Sequence, residues 1–202
     1  MLIDISIIVI LFVLPVVLMS FKIIPFKYKI HDLGLVAFLL MLIVLLKGWG
    51  TQKLGLQLPA VGEFALPYLL FTCGLGIALL IISKLTKNTG KERWWKDSHF
   101  IYGFILVSAL QEFVFRGFLI PELQSIFSST ILVVLVNALL FAFMHIIYSD
   151  NKYSLLMIFV GGIGFATMYI YYPSLILIAI SHTVLNFIAV YFGFFTQERK
   201  RA

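Results

Sequence analysis

Long apolar segments that follow one another along the chain limit its possible folds more than any other feature. The runs are Leu2–Phe21, Asp32–Leu46, Ala65–Leu85, Phe100–Gln124, Ser128–Tyr148, Ser154–Tyr172 and Ser174–Phe195. A transmembrane helix needs about 20 apolar residues, and a helix satisfies its own backbone hydrogen bonds in hydrocarbon. We therefore predict an all-α, polytopic bundle of about seven transmembrane spans, although the second run is short.

Composition supports a membrane protein and excludes most soluble classes. The 202 residues are 62% hydrophobic and 12% charged, with a mean hydropathy of +1.08, whereas soluble domains are about a quarter charged. The net charge of +6 does not indicate nucleic acid, because the basic residues lie between the apolar runs. The single cysteine, Cys73, excludes an intrachain disulfide and a cysteine-built zinc site. We predict one integral membrane domain over 1–202, divided into N-terminal spans and a basic loop (1–98) and a core (99–196).

The distribution of lysine and arginine predicts the orientation of the chain. Twelve of these residues fall in the segments 22–31, 84–98 and 149–153 and in the C-terminal tail, against two, Lys47 and Lys53, on the opposite side. Cytoplasmic loops carry the excess of positive charge. We therefore predict an N-terminus outside and a cytoplasmic C-terminus. Lysine outnumbers arginine eleven to four, which favours an AT-rich bacterial genome and thus a bacterial plasma membrane.

The ends of the spans carry further local signals. The first run has no basic residue before it and no evident cleavage site, so we expect it to be retained as a span. Asp32 is the predicted N-cap of the second helix, and 50–64, with Pro59 and Gly62, is predicted to be a loop or a re-entrant segment. Three glycines in the sixth run, Gly161, Gly162 and Gly164, should permit close helix packing. The Trp94–Trp95 pair is typical of an interfacial anchor.

A carboxylate and a guanidinium interrupt the fourth apolar run, in the sequence Gln111-Glu112-Phe113-Val114-Phe115-Arg116-Gly117. An ionised side chain in hydrocarbon costs several kcal/mol unless it is paired or faces a polar cavity. Glu112 and Arg116 are four residues apart, so a helix places them on one face, where they can form an ion pair. Gln111 lies about 100° round the helix from Glu112.

Two further polar pairs occur in later spans, Phe141-x-x-x-His145 and His182-x-x-x-Asn186. From the helical rise, Glu112, His145 and Asn186 each lie roughly 18 to 22 Å below the outer turns, and His182 roughly 12 Å. Taken singly, the Glu112–Arg116 pair fits a structural ion pair and the histidines fit interfacial or interhelical contacts. Their common depth favours one functional site, because intramembrane ionisable residues usually mark function.

The order and spacing of these motifs resemble those of the intramembrane proteases that include the CAAX prenyl endopeptidases and the bacteriocin-processing, Abi-type proteins. The family pattern is Glu-Glu-x-x-x-Arg, then Phe-x-x-x-His, then His-x-x-x-Asn or Asp, and the resemblance covers Phe100–Phe195. It implies a membrane-embedded glutamic peptidase with Gln111, Glu112, His145, His182 and Asn186 as site residues. Arg116 and Phe141 would support them. The substrate would be a peptide or membrane-anchored protein, cut at a C-terminal tail or leader.

One departure bears directly on activity, because Gln111 stands where the family has the glutamate that activates water. An amide cannot accept a proton at working pH. Three hypotheses follow: glutamine replaces a native glutamate as an inactivating change, Glu112 is the base instead, or the protein is a natural pseudo-enzyme. We favour the first, because Glu-to-Gln disturbs shape least and the other motif residues are intact.

With glutamate at position 111, the resemblance implies metal-independent hydrolysis. The carboxylate would take a proton from water shared with His145, while His182 and Asn186 donate to the oxyanion and Arg116 holds Glu112 ionised. A zinc site of Glu112, His145 and His182 is the competing hypothesis; we predict no cofactor. A non-catalytic scaffold or immunity protein and a small proton-coupled transporter are alternative functions, the latter without the inverted repeat typical of transporters.

Overall fold

The computed structural model describes residues 2–86, 96–147, 152–192 and 194. Within them the chain forms helices and connecting turns and contains no strand, which confirms the all-α prediction. The helices are α1 (Leu2–Ser20, with a π-helical turn at Val9–Val13), α2 (Lys29–Leu46), α3 (Leu58–Leu85), α4 (Ser98–Glu112, then π-helical Phe113–Leu119, then Ile120–Ile126), α5 (Thr130–Met144, then a 3-10 turn His145–Ile147), α6 (Lys152–Tyr171) and α7 (Leu175–Tyr191). The predicted Trp94–Trp95 anchor lies outside the described residues.

Six of these helices, α1 to α6, are long and apolar enough to cross a membrane, while α7 is a shorter apolar helix of 17 residues. The fold is therefore a polytopic helical bundle, as predicted. The fourth span continues past Pro121 to Ile126, which the sequence also indicated. Pro121 is tolerated there because it stands at the start of the last α-helical section, where a missing N–H costs least.

Two local predictions were wrong. Asp32 does not cap α2, which begins at Lys29 with Tyr28 at the N-cap and no side-chain hydrogen bond, so Asp32 lies in the first turn. The segment 50–64 is not a continuous loop, because α3 begins at Leu58 with a proline in its first turn. Proline at that position is compatible with a helix, since the first N–H groups have no intrahelical acceptor.

The turn between α2 and α3 packs against the connection between α6 and α7. The Leu175 N–H donates to the Gly55 carbonyl (2.9 Å), and the Tyr68 hydroxyl donates to the Tyr172 carbonyl (2.8 Å). Gly55 has φ +61°, and a Cβ there would lie 2.8 Å from the Tyr169 hydroxyl, so conformation and space both require glycine. These contacts close one end of the bundle.

Close packing of α6 depends on two of the three predicted glycines. A Cβ at Gly162 would lie 3.2 Å from the Ala138 Cα, and one at Gly164 would lie 3.2 Å from the Phe71 ring. Gly161 has no such neighbour within 4 Å, so the expectation fails for it. Glycine at the first two positions lets α6 approach α5 and α3 closely.

A charged cluster joins three helix ends at the closed end of the bundle. Lys47 Nζ donates to the Glu122 carboxylate (2.5 and 2.8 Å) and to Asp4 Oδ1 (3.0 Å). These three residues, called here the end cluster, connect the start of α1 and the end of α2 to the last section of α4. Desolvation lowers the pKa of Lys47, but the hydrogen bonds to Glu122 and Asp4 outweigh it and leave that pKa raised.

The helices of the polar motifs lie next to one another. Helix α7 packs on both α3 and the first section of α4, α2 packs on α4, and α5 packs on α6 and contacts the π-helical section of α4. Because α4 contacts both α5 and α7, the segments that carry the three motifs can share one interior region.

Candidate active site

The first motif lies where α4 changes from α-helix to π-helix. Glu112 is the last α-helical residue, and Phe113–Leu119, which includes Arg116, is π-helical and entirely buried. A π-helix bonds residue i to i+5, so the side chains of this section point in directions that a continued α-helix would not give. Such segments are rare and often occur at functional sites.

Glu112 is the centre of a buried polar cluster. The His182 Nδ1–H donates to Glu112 Oε1 at 2.5 Å, and Arg116 Nη1 donates to the same oxygen at 3.3 Å. Arg116 Nε lies 3.3 Å from Oε2, and both members of this pair are 0% exposed. The predicted Glu112–Arg116 pairing is confirmed, whereas the direct Glu112–His182 bond was not predicted. We call Glu112, Arg116 and His182 the site cluster.

Aromatic rings enclose the guanidinium of Arg116. Its Cζ lies 4.5 Å from the Phe141 ring centroid, 5.4 Å from that of Phe165 and 5.9 Å from that of Phe115. Its Nη2 also donates to the Gly162 carbonyl at 3.5 Å. Cation–π attraction strengthens when the cation is desolvated, so these rings help to hold a charge that water does not reach. Phe141 thus supports the site through its ring.

His145 is held by the backbone of its own helix. Its Nδ1 lies 2.7 Å from the Phe141 carbonyl, and a carbonyl can only accept, so Nδ1 carries the hydrogen. In the neutral ring Nε2 is then an acceptor. The centroids of the His145 and His182 rings lie 4.7 and 5.9 Å from that of Phe141, so both imidazoles contact one phenyl ring.

The remaining two predicted residues lie on the facing helices α4 and α7. Asn186 Nδ2 donates to Ser108 Oγ at 3.1 Å, and Ser108 is fully buried. Gln111 is also buried and is three residues from Ser108, hence on a neighbouring part of the α4 surface. An asparagine amide has two N–H donors, so the bond to Ser108 uses one of them.

A zinc ion does not fit this arrangement. In the described ranges, no three His, Cys, Asp or Glu residues come together as a group able to hold a metal. The Nδ1 atoms of His182 and His145 are bonded to Glu112 Oε1 and to the Phe141 carbonyl, which leaves only their Nε2 atoms for a metal. We therefore derive no step through a metal.

Sequence reasoning missed three residues that contact the predicted ones, Ser108, Gly162 and Phe165, and a fourth, Asn137, that bonds to the backbone next to Arg116. Asn137 Nδ2 donates to the Phe115 carbonyl at 2.7 Å, and the Phe165 ring lies 5.1 Å from that of His182. Ser108 could have been found, because it precedes Gln111 by three residues on one helix. Asn137 could also have been found, because it precedes Phe141 by four. Nothing in the sequence singled out the Gly162 carbonyl or Phe165.

Comparison with known proteins agrees with the motifs. The model of the Rce1-like family, described as type II CAAX prenyl endopeptidase, matches residues 93–188. That range contains all three motifs and the residues that contact them. Comparison with curated proteins and with solved structures gave no match. Residues 93–188, which contain the site cluster, thus match the model of the Rce1-like family, as the motifs predicted.

Proposed function

We propose that this chain is an intramembrane endopeptidase of the glutamic type in which Gln111 occupies the water-activating position. The observation that carries the proposal is the state of Glu112. Its carboxylate is fully buried and is bonded to both His182 and Arg116, so it is not available to take a proton from water. Position 111, adjacent on the same helix, is left for the base, and an amide there makes the chain as it stands a poor hydrolase.

The residues around position 111 support hydrolysis once a glutamate stands there. That carboxylate would take one proton from water, and His145 Nε2 would accept the second hydrogen bond of the same water. The water oxygen then attacks the carbonyl carbon of the peptide, and the proton passes from the glutamate to the leaving amine as the C–N bond breaks. This is general acid–base catalysis without a covalent intermediate.

In this proposal His182 and Asn186 stabilise the oxyanion of the tetrahedral intermediate. The second amide hydrogen of Asn186, beyond the one donated to Ser108, can serve the oxyanion. The Nδ1–H that His182 donates to Glu112 fixes the direction of its ring, and an imidazolium, which has a second N–H at Nε2, would donate to the oxyanion. Loss of one oxyanion donor typically costs about 10²–10³ in kcat.

The proposed substrate is a peptide segment of a membrane-anchored or prenylated protein, near its C-terminus or in a leader. The site residues lie on helices long and apolar enough to cross a membrane, α4 and α5, and on the shorter apolar helix α7. The scissile bond must therefore reach the membrane interior, which favours a substrate that is itself lipid-anchored.

Product analysis of the purified chain and its Gln111→Glu variant tests the proposal. Both are reconstituted in vesicles with peptides ending in Cys-aliphatic-aliphatic-X, farnesylated and unmodified, and products are identified by mass spectrometry. We expect Gln111→Glu to raise the cleavage rate at least about 100-fold, the usual size of a general-base contribution. The matched control, Gln111→Glu with His145→Gln, should lose that gain. A folded Gln111→Glu protein no faster than its parent on any peptide would reject the proposal.

Metal independence is a separate part of the proposal. We expect the Gln111→Glu variant to keep its cleavage rate in chelator and to contain far less than one zinc per chain by elemental analysis. Activity lost on chelation and restored by zinc would instead establish a metalloprotease.

The orientation is proposed from charge, with the N-terminus outside and the C-terminus in the cytoplasm of a bacterial plasma membrane. Single cysteines placed in 86–98 and after Thr196, in a Cys73→Ala background, should resist membrane-impermeant labelling in intact cells. Labelling of both from outside would reverse the orientation.

A non-catalytic role is the second candidate, and Gln111 itself favours it. A chain that binds a peptide bond at His182 and Asn186 without a base at position 111 would retain a tail or leader rather than cut it. Stable capture of uncleaved farnesylated peptide by the parent, with no cleavage by Gln111→Glu, would establish that role.

A further inference from the structure

The side chain of Asn137 on α5 bonds to the backbone of the π-helical section of α4. Its Nδ2–H donates to the Phe115 carbonyl at 2.7 Å, and Asn137 is 0% exposed. A buried carbonyl and a buried amide each need a partner, and leaving either unpaired costs about 1–3 kcal/mol. The bond therefore has a stabilising role that depends on Phe115 presenting its carbonyl to α5.

Asn137 stands on the site face of α5. Asn137, Phe141 and His145 are spaced by four residues, so they lie along one side of the helix. Phe141 contacts Arg116 and both imidazoles. One face of α5 thus supplies a histidine, a ring against the guanidinium and an amide bonded to the backbone next to that guanidinium.

Phe115, whose carbonyl accepts the bond from Asn137, is next to Arg116 in the chain. Arg116 makes two contacts of about 3.3 Å with Glu112, and Glu112 in turn orients His182. The direction of Arg116 relative to Glu112 depends on the π-helical backbone between them, because a return to i→i+4 bonding would turn Arg116 further round the axis. The bond from Asn137 fixes the Phe115 carbonyl against α5 and therefore opposes a return to α-helical bonding.

We infer that Asn137 is a positioning residue for the peptidase site. Its bond to Phe115 holds the π-helical backbone and so keeps Arg116, Glu112 and His182 within bonding distance of one another. The inference rests on the proposed function for its kinetic consequence only. It goes beyond the predicted site residues, which do not include Asn137.

The kinetic test uses Asn137→Leu in the Gln111→Glu background, since leucine has a similar volume and no donor. We expect kcat to fall about 10- to 100-fold, as for a displacement of about 1 Å within a catalytic group, with KM changed less than about twofold. The matched control is Tyr68→Phe, which also removes a side-chain bond to a carbonyl outside its own helix. Tyr68→Phe should leave kcat unchanged. Equal kcat losses in both variants would overturn the inference.

A conservative variant adds a pH dependence of kcat that a general loss of packing would not produce. In Asn137→Asp the buried carboxyl is expected to stay protonated at low pH, because desolvation disfavours its charged form, and its O–H can then donate to Phe115. Its kcat should approach that of the parent at low pH and fall as the carboxyl ionises. A pH profile identical to that of the parent would count against a donor role. This variant also serves if Asn137→Leu does not fold.

A spectroscopic readout separates failure of this inference from failure of the proposed function. The chain has four histidines, so ¹⁵N-histidine NMR with His182→Gln for assignment can follow the Nδ1–H that His182 donates to Glu112. We expect Asn137→Leu to shift that resonance and Tyr68→Phe to leave it in place. A shift without any activity of Gln111→Glu would support the positioning role and reject the peptidase. An unshifted resonance would overturn the positioning role.

Discussion

Two charged clusters in this bundle look alike in composition and differ in setting. The site cluster joins a carboxylate to Arg116 and His182, and the end cluster joins Asp4 and Glu122 to Lys47. In the site cluster the side chains of Glu112 and Arg116 are 0% exposed, whereas in the end cluster the Lys47 side chain is 27% exposed. The site cluster lies within the family match. The end cluster takes two of its three residues from outside that match.

The surroundings of the two clusters explain the difference in role. Rings of Phe115, Phe141 and Phe165 surround Arg116, and the His182 ring contacts Phe141 and Phe165. Lys47 lies between helix ends, and its Nζ is 5.5 Å from the centroid of the Trp49 ring. A buried charge alone does not identify an active site. A charge that orients a titratable ring among other polar motif residues is a stronger sign, because catalysis needs positioned donors and acceptors.

The largest effect is expected from removing the cation of the site cluster. Arg116→Met leaves the fully buried Glu112 without its guanidinium, and breaking a buried pair in this way costs about 3–5 kcal/mol. Thermal unfolding in detergent should show the loss. Arg116→Met with Glu112→Gln, which removes both charges, is the control and should recover much of the stability. A single variant as stable as its parent would mean that the ion pair does not stabilise the bundle.

The next effect separates orientation from charge in the same cluster. Glu112→Gln in the Gln111→Glu background keeps the size of the side chain but replaces the carboxylate that accepts the His182 Nδ1–H with a neutral amide. We expect kcat to fall about 10²–10³-fold, the usual cost of one lost oxyanion donor. The check is single-turnover cleavage of the farnesylated peptide, with folding followed by thermal unfolding. Unchanged kcat would show that His182 acts without Glu112.

The end cluster should affect stability and not kcat. Lys47→Met leaves Glu122 unpaired and is expected to cost about 1–3 kcal/mol, the desolvation penalty of a buried polar group. In the Gln111→Glu background kcat should stay within about twofold, since no bond of Lys47 reaches the site residues. A large fall in kcat at unchanged stability would remove the distinction between the clusters.

The raised pKa of Lys47 predicts how the stability that the end cluster contributes changes with pH. Because that pKa is raised in the folded protein, the stability from this lysine is fully present below its ordinary value of about 10.4. It is lost as pH rises through the higher folded value. Unfolding midpoints of the parent should therefore fall in strongly alkaline solution, and those of Lys47→Met should fall less. Parallel curves for the two proteins would contradict this assignment.

The smallest effect is expected at Ser108. Ser108→Ala removes the acceptor of the Asn186 amide and should lower kcat in the Gln111→Glu background by about three- to tenfold, in line with about 0.5–1.5 kcal/mol for one hydrogen bond. Thr183→Val is the control, because it removes a bond within α7 to the Ala179 carbonyl. Equal changes in the two variants would deny Ser108 a specific role.

The sequence determined the class of fold and one pair in the site. Apolar runs of span length require helices, because the hydrocarbon offers no partners for backbone groups, and the spacing of Glu112 and Arg116 required that they meet on one helix. The order of the three motifs was enough to indicate the family whose model then matched residues 93–188. These features depend on local geometry and on the solvent, which the sequence specifies directly.

Only the tertiary structure decided how the helices bring groups together. The Glu112–His182 bond spans 70 residues and the Asn137–Phe115 bond spans 22, and no periodicity along one helix contains either. The π-helical section of α4 was equally hidden, because no pattern along the sequence of α4 indicated it. Contacts between helices depend on packing and register that a single helix does not fix. The sequence therefore named candidate residues, and the fold decided which of them bond.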